Sequence, residues 1–267
     1  MADNNKQNIM TMEQYILNPM GKNNAVLNAP TRETIKRSYS AKFDNILLRE
    51  RGIITYKFYK DNKNQYWAYI KVPSETVPKF YYDVVFKFFI DASKGGENDL
   101  FKWNIQFFSN DPAFVYTYAH VFYENNLLIP ELKSKMSKIA LKEAAKEKNP
   151  QGNIGYVKII YFAYLVMKNR NFNKVARFEG ECQPLIAKDL LAEIMPADEK
   201  IASRQEEGRG ISHRIKKRID KNLARQIKNK AGHDVSFSGV NIKTTKKVNT
   251  IKSGVKEAQK TKSVKRK

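Results

Sequence analysis

The sequence contains almost no cysteine and no long uncharged apolar segment. Cys182 is the only cysteine among 267 residues, so no intramolecular disulfide can form, and no group of Cys and His residues has zinc-ligand spacing. The first ten residues, MADNNKQNIM, lack the apolar stretch of a signal peptide, and no uncharged apolar run approaches about 18 residues. We therefore expect a soluble, intracellular protein without a membrane span, whose fold depends on side-chain packing.

The motifs of common enzyme classes are also missing. The chain has no GxxxxGK[ST] phosphate loop, no GxGxxG after a predicted strand and no GxSxG nucleophile elbow. Its three histidines, His120, His213 and His233, are scattered, and Cys182 suits a small buried apolar residue better than a nucleophile. We predict a protein that is not an enzyme and has no catalytic residues, metal site or cofactor.

A metal-dependent nuclease is the enzyme class that is hardest to exclude, because it needs only scattered acids and a lysine. Asp83, Asp91, Asp99 and Lys102 lie on or beside predicted strands. Acids in hairpins are usually solvated, and such arrangements arise readily by chance in a chain rich in Lys and Asp. The nuclease is therefore the third interpretation of the chain, behind two binding roles.

Positive charge is concentrated in the last sixty residues. From Gly208 to Lys267 there are 19 Lys or Arg and three acids, a net charge of +16 out of +22 for the chain. The other 207 residues carry 30 basic and 24 acidic side chains. Each Lys or Arg that neutralises a phosphate releases a counterion, so this segment favours binding to a polyanion without sequence preference. Nucleic acid is the first such partner, while an anionic membrane, an acidic protein and a solvated tail stay open.

Residues 201–230 are predicted to form a linker and a basic amphipathic helix. An apolar residue recurs every four positions, with basic residues between. The apolar stripe, which we expect to contact protein, consists of Ile211, Ile215, Ile219, Leu223 and Ile227. Such a stripe drifts by about 40° per step on an α-helix, so it fits one narrow groove or one subunit. Without Trp, Phe or Tyr it is poorly suited to membrane insertion.

The predicted nucleic-acid contacts come from this helix and from residues 231–267. That last segment is rich in Lys and has no periodicity, so we expect it to be extended or disordered. The predicted contacts are Arg214, Lys216, Lys217, Arg218, Lys221, Arg225, Lys228, Lys230, Lys243, Lys246, Lys247, Lys252, Lys265, Arg266 and Lys267. All of them are basic side chains suited to phosphate groups.

The sequence patterns of residues 51–200 predict an α+β core domain. Segments rich in aromatic and β-branched residues predict a four-stranded, mainly antiparallel sheet. The predicted strands are Ile53–Tyr59, Gln65–Val72, Tyr81–Ile90 and Phe101–Phe108. Packed helices follow at residues 131–148, 154–168 and 184–195. Residues 112–123 follow the helix-start signal Asp111-Pro112, but their composition also permits a strand.

Residues 1–50 predict an extended, polar N-terminal arm. They contain few bulky apolar residues and are interrupted by Pro19, Gly21 and Pro30, so only a short helix near Thr34 to Phe43 is expected. Such a segment cannot bury enough apolar surface to offset the entropy of ordering it. We expect neighbouring subunits to order it, which favours a homo-oligomer.

Aromatic residues of the predicted sheet permit a second functional interpretation. They alternate with lysines and could form a stacking platform for single-stranded nucleic acid. The residues concerned are Tyr56, Phe58, Tyr59, Tyr66, Trp67, Tyr69, Tyr81 and Tyr82. One face of such a sheet must be core, however, and aromatic rings are common in cores and interfaces. We favour packing over stacking.

The segment WNIQFFSNDPAFVYTYAHVFYENNLLIPELK, followed by NPQGNIGYVKIIYFAYLVMKN, resembles structural proteins of tailed bacteriophages with AT-rich genomes. The resemblance covers about Lys102 to Asn169. It consists of aromatic-rich strands and an Asn-, Lys-, Ile- and Tyr-heavy composition, together with the polar arm and the basic terminus. It contains no diagnostic motif, so it transfers no functional residue. It implies a virion component near packaged DNA, in the head, the neck (the head-tail connector) or the upper tail.

We therefore predict a non-enzymatic structural component of a tailed-phage virion, present in the host cytoplasm during assembly. Its body and arm would contact other virion proteins and further copies of the chain. Its basic C-terminal tail would contact packaged DNA or an acidic partner. The alternative is a soluble nucleic-acid-binding protein of replication, transcription or genome organisation.

Overall fold

The computed structural model describes residues 10–17, 28–50, 52, 54–89, 98–145, 149, 152–210 and 221. The chain divides into two compact units, Met1–Ser212 and His213–Lys267. All described residues except Lys221 belong to the first unit, and the fold given below is the fold of that unit.

Five strands form one mixed sheet in the order β4-β3-β2-β1-β5. The strands are β1 (Thr55–Lys60), β2 (Tyr66–Pro73), β3 (Tyr81–Phe89), β4 (Asn104–Ser109) and β5 (Cys182–Pro184). Neighbours among β1 to β4 are antiparallel, whereas β5 runs parallel to β1. The α+β class is confirmed, but the sheet has a fifth strand and is mixed, which corrects the four-stranded prediction.

Sequence patterns could not predict the fifth strand, β5. It is three residues long and pairs only with the last half of β1, where Phe58 lies opposite Cys182. Three residues are too few to show alternation, and Pro184 has no amide hydrogen to donate to a ladder. Pairing with β1 therefore creates this strand at the edge of the sheet.

Besides the sheet and the connecting loops, the described chain contains α-helices. They are α1 (Met12–Leu17), α2 (Ala29–Arg49), α3 (Pro112–Thr117), α4 (Ala119–Glu124), α5 (Lys138–Lys142), α6 (Lys158–Asn169), α7 (Val175–Glu179), α8 (Ala187–Glu193) and α9 (residues 197–210). Short 3-10 helices span Leu100–Lys102 and Pro130–Lys135.

Residues 112–123 are helical, as the start signal before them favours. The Asp111 carboxylate accepts hydrogen bonds from the amides of Ala113 and Phe114, at 3.0 and 3.2 Å, and so caps α3. The single helix predicted over 131–148 is wrong. The chain instead forms a 3-10 helix and then α5, because Met136 and Ser137 adopt extended backbone angles between them.

Aromatic rings fill one face of the sheet. Phe58, Ala68, Phe86 and Phe107 lie side by side across β1 to β4, and all four are buried. The ring of Phe58 stacks on Phe178 of α7, with centroids 4.3 Å apart. Aromatic pairs of this kind favour one arrangement of the core beyond the area they bury.

The other face of the sheet mixes charged and apolar residues. Lys57 and Lys71 lie on it, and both pair with Glu193 of α8, at 2.7 and 3.3 Å. Lys87 pairs at 2.6 Å with Glu131, which belongs to the 3-10 helix after α4. Helices and ion pairs therefore cover a face that sequence alternation alone would leave to solvent.

Helix α6 is buried on nearly all sides. Its residues 159–167 are all buried, and it packs on α2 through the rings of Phe162 and Phe43, whose centroids lie 5.5 Å apart. It is 12 residues long. Among the residues that the structure describes, no helix has the combination of length and apolar character that crossing a bilayer requires.

The described parts of residues 1–50 are helical and packed, which corrects the extended arm for these parts. Met12, Tyr15 and Ile16 of α1 are no more than 5% exposed, and Phe43 and Ile46 of α2 are buried as well. The reason is local: three large residues on one turn fill a groove although the segment around them is polar. The short helix expected near Thr34 to Phe43 is the middle of the longer α2, which Asn28 caps.

Candidate functional site

The residues predicted to bind nucleic acid lie almost entirely outside the described residues. Lys221 is the exception, and it is helical and exposed. The other fourteen predicted contacts, and the apolar stripe from Ile211 to Ile227, fall on positions that the structure does not describe. The structure therefore leaves these residues as sequence predictions and shows instead how the chain that leads to them is held.

Helix α9 is the last described element before the basic segment. Its Ala197 and Ile201 are buried. The Arg204 guanidinium donates a hydrogen bond of 3.2 Å to the Thr76 hydroxyl, in the loop between β2 and β3. The Lys200 ammonium lies 4.7 Å from the centre of the Phe80 ring, and burial lowers the pKa of Lys200 below its ordinary value. Residues 201–210, predicted as the start of a linker, are therefore helical and anchored to the first unit.

A buried polar network fixes the chain just before α9. The Asp83 side chain accepts hydrogen bonds from the Tyr69 hydroxyl (2.8 Å) and from the Asn110 amide nitrogen (2.7 Å), one on each carboxylate oxygen. The same amide nitrogen donates to the Met195 carbonyl at 3.1 Å. Asp83 and Asn110 are at most 3% exposed. The network thus joins strands β2 and β3 to the chain between α8 and α9.

The hydrogen bonds of this network support a structural role for Asp83. Burial, followed by the neighbouring Asp83, raises the pKa of the Tyr69 hydroxyl far above its ordinary value. Tyr69 therefore stays a hydrogen-bond donor at any physiological pH. Both oxygens of the carboxylate already have partners, so it satisfies buried donors that would otherwise be costly.

The two described acids considered for a nuclease, Asp83 and Asp99, have separate structural partners. Asp83 lies in the buried network, while Asp99 caps the 3-10 helix Leu100–Lys102 and binds Asn173 and Lys174 at 2.9 and 3.0 Å. Asp91 falls outside the described residues. Over the described ranges, no group of three or more His, Cys, Asp or Glu residues is placed to hold a metal ion.

Replacing Asp83 with Ala is expected to destabilise the protein by about 3 kcal/mol. The change leaves the Tyr69 hydroxyl and one Asn110 donor buried without a partner, at about 1–3 kcal/mol each. Urea unfolding of the full chain measures the loss, and Asp44→Ala, which removes an exposed carboxylate from α2, should change stability by less than about 0.5 kcal/mol. Mg²⁺-dependent DNA cleavage that a folded Asp83→Ala protein lacks would contradict the structural role.

The aromatic residues considered for a stacking platform are mostly core. The buried members are Phe58, Tyr66, Trp67, Tyr69 and Tyr82, each no more than 4% exposed. Tyr56, Tyr59 and Tyr81 are only partly accessible. Stacking of bases needs open ring faces, so packing is the role that the geometry supports for the buried members.

Two further candidate residues have structural surroundings. Burial raises the pKa of the Cys182 thiol to about 12, so the thiolate needed for nucleophilic chemistry does not form near neutral pH. The His120 ring nitrogen Nδ1 lies 2.9 Å from the Leu141 carbonyl oxygen and makes a packing contact between α4 and α5.

One cavity was missed by the sequence patterns. It has a volume of about 330 Å³ and lies between the β1–β2 turn, the 3-10 helix after α4, and α8. Asp61, Trp67, Glu131 and Leu190 are among its lining residues, and the Trp67 indole donates a hydrogen bond of 3.2 Å to the Asp61 carboxylate. Three distant segments form it, so the only signal in the sequence is a Trp in a strand close to an Asp in the preceding turn.

The described unit is a packed α+β body. Its last helix, α9, is anchored to that body and precedes the basic segment in the chain. Its buried acids and aromatic rings have structural partners. No protein-family model, curated protein or solved structure matches this chain.

Proposed function

We propose that this protein is a non-enzymatic structural component of a tailed-phage virion. Its body would contact neighbouring virion proteins, including further copies of the chain, and its basic C-terminal segment would contact packaged DNA. The observation that carries this proposal is the separation of charge, with +16 on the last sixty residues and +6 on all the others. Such a segment binds phosphate through counterion release and leaves the body free for protein contacts.

The contacts of the body support this division of roles. Lys57, Lys71 and Lys87, on the more polar face of the sheet, are engaged by Glu193 and Glu131 within the body. A lysine that already has a carboxylate partner has less to gain from a phosphate, since fewer counterions are released. The basic segment is therefore the stronger candidate for the main DNA contact.

Mass spectrometry of purified virus particles tests this proposal. We expect the chain in DNA-filled particles, in a constant ratio to the other structural proteins. A chain that is missing from particles but recovered from the same lysates on free DNA would contradict the virion role. It would leave the DNA-binding role intact.

The second candidate is a soluble nucleic-acid-binding protein of replication, transcription or genome organisation. The burial of α1 favours it, because Met12 and Tyr15 fill the core of their own chain and need no neighbour. Helix α1, as the structure describes it, thus gives no argument for an oligomer. The particle experiment separates the two candidates, since a soluble protein should not keep a constant ratio to capsid components.

The apolar stripe gives a separate prediction. Replacing Ile215, Ile219 and Leu223 with Ser should release the chain from particles while leaving DNA binding nearly unchanged, because all positive charges remain. Copurification with particles and binding to a random duplex measure the two effects. A matched control replaces Val240, Ile242 and Val248 with Ser, since these residues lie in the same segment but outside the stripe. Equal losses in both variants would refute a specific protein contact by the stripe.

A further inference from the structure

The surface segment from Pro130 to Lys142 carries four lysines on its outer side. We call Lys133, Lys135, Lys138 and Lys142 the lysine ridge. Leu132, Met136 and Ala140 of the same segment are buried and fix it to the core. Lys133, Lys138 and Lys142 are exposed, and Lys135 is partly exposed. The packing of one side of the segment therefore turns the lysines toward solvent.

Among the described residues, the ridge lysines lack carboxylate partners, and four such lysines lie within ten residues of the chain. Within the described part of the chain, Lys135, Lys138 and Lys142 form no ion pair, and Lys133 lies 4.0 Å from the centre of the Tyr123 ring and donates to its hydroxyl. Several other lysines of the body do pair with glutamates, and four of these pairs serve as the comparison for the ridge. The pairs are Lys57–Glu193, Lys60–Glu179, Lys71–Glu193 and Lys158–Glu75.

Acidic residues near the ridge do not cancel its charge. Residues 130–145 contain two acids, Glu131 and Glu143. The carboxylate of Glu131 is taken by Lys87 at 2.6 Å, and that lysine belongs to the sheet and not to the ridge. Residues 130–145 carry four lysines and two glutamates, a net charge of +2, which becomes +3 when Lys87 is counted with its partner Glu131.

We propose that the lysine ridge is a second nucleic-acid contact, which binds phosphates of the DNA backbone. This inference rests on the proposed DNA binding of the basic segment and extends it to the folded body. A lysine without a carboxylate partner gains binding free energy when it neutralises a phosphate, because counterions are released from the DNA. A lysine that is paired with a glutamate gains less. The ridge should show no sequence preference, because contacts to phosphate fix position on DNA and do not read the bases.

A protein partner is the other occupant that such a surface could take. Ile139 lies among the ridge lysines and is 76% exposed. Single exposed apolar residues are common on protein surfaces, however, and one isoleucine makes no apolar patch. The uncompensated charge therefore favours phosphate over protein.

The test compares two variants of the full chain that lose the same charge. The ridge variant replaces Lys133, Lys135, Lys138 and Lys142 with Gln. The control variant replaces the glutamate-paired Lys57, Lys60, Lys71 and Lys158 with Gln. Binding to a random-sequence DNA duplex is measured over a salt titration, and thermal unfolding verifies that both variants are folded.

We expect the magnitude of the slope of log K against log salt to fall by up to about 3.6 in the ridge variant, since each of four phosphate contacts contributes about 0.9. The slope of the control should change by less than about 1. A slope equal to that of the unmodified protein, or an equal fall in both variants, would overturn the ridge while leaving DNA binding by the basic segment in place. An unmodified chain that does not bind the duplex would overturn both.

An Ile139→Ser variant separates DNA from protein as the occupant. We expect it to bind DNA like the unmodified chain and to stay on particles. Release from particles by Ile139→Ser, together with an unchanged salt slope of the ridge variant, would identify the surface as a protein interface and overturn the DNA assignment.

Discussion

Deletion of His213–Lys267 is expected to lower affinity for duplex DNA on the order of 100-fold or more at about 0.1 M salt. The deletion removes 18 basic and three acidic residues, a net charge of +15. It leaves the first compact unit complete, including α9, whose Ala197 and Ile201 are buried. The truncated protein should therefore keep its unfolding transition while its salt-dependent DNA binding falls to the small contribution of the lysine ridge.

A shuffled segment provides the matched control for this deletion. A chain in which residues 213–267 are rearranged keeps composition and net charge but loses the four-residue period of the stripe. We expect it to bind DNA as the natural order does, because counterion release needs charge and not order. It should fail to join particles if the stripe contacts protein. Comparable DNA binding by the truncated and full chains across the salt range would refute the role of the basic segment.

Local sequence patterns predict four of the five strands of the sheet and miss the fifth. β1 to β4 lie where aromatic and β-branched residues are dense, and Asp111 starts a helix as its position before Pro112 predicts. These features depend on neighbours in the sequence, so local patterns carry them. β5 depends instead on Phe58 and Lys60 of a distant strand, and no local pattern marks it.

The lysine ridge could not be identified from the sequence, because the sequence pattern predicts a single helix over residues 131–148. A single helix over 131–148 would distribute its lysines around the axis according to a 3.6-residue period. The break at Met136 and Ser137 resets that period, and both residues are buried. Burial of this pair therefore decides which lysines face outward, and it depends on packing that the sequence does not display.

The sequence also does not show which lysines of the body are available to bind phosphate. In the sequence, nothing marks Lys57 as paired or Lys133 as unpaired. The structure gives Lys57 a carboxylate 2.7 Å away on α8, whereas Lys133 lies over a tyrosine ring. Whether a lysine is available to phosphate is thus a property of the fold, while the excess charge of the C-terminal segment is a property of the sequence.

Replacement of Tyr15 with Ala is expected to destabilise the first unit by about 4 kcal/mol, the largest effect on stability that we predict. The Tyr15 ring is 1% exposed and packs against Phe107, with centroids 5.1 Å apart. Its hydroxyl donates to the Gly155 carbonyl at 3.1 Å and accepts from the Val157 amide at 3.0 Å. Alanine would therefore leave both a cavity and buried backbone groups without partners.

Two further substitutions divide this effect into its parts. Tyr15→Phe keeps the ring and removes only the hydroxyl, so the loss should be about 1–3 kcal/mol. Leu17→Ala changes a residue of the same helix that is 44% exposed, and should cost less than about 1 kcal/mol. Urea unfolding measures all three. Hydrogen exchange of the unmodified chain should show α1 amides protected together with β4, since the Ile105 amide donates to the Met10 carbonyl at 2.9 Å.

An unchanged stability of Tyr15→Ala, together with fast exchange of α1, would support the prediction of an arm that neighbouring subunits order. If Tyr15→Ala unfolds like the unmodified chain, and α1 exchanges as fast as an unfolded peptide in a verified monomer, then α1 does not belong to the core of the free protein. Neighbouring copies would then be the source of its order, and the oligomeric virion role would regain the support that the burial of Met12 and Tyr15 removes.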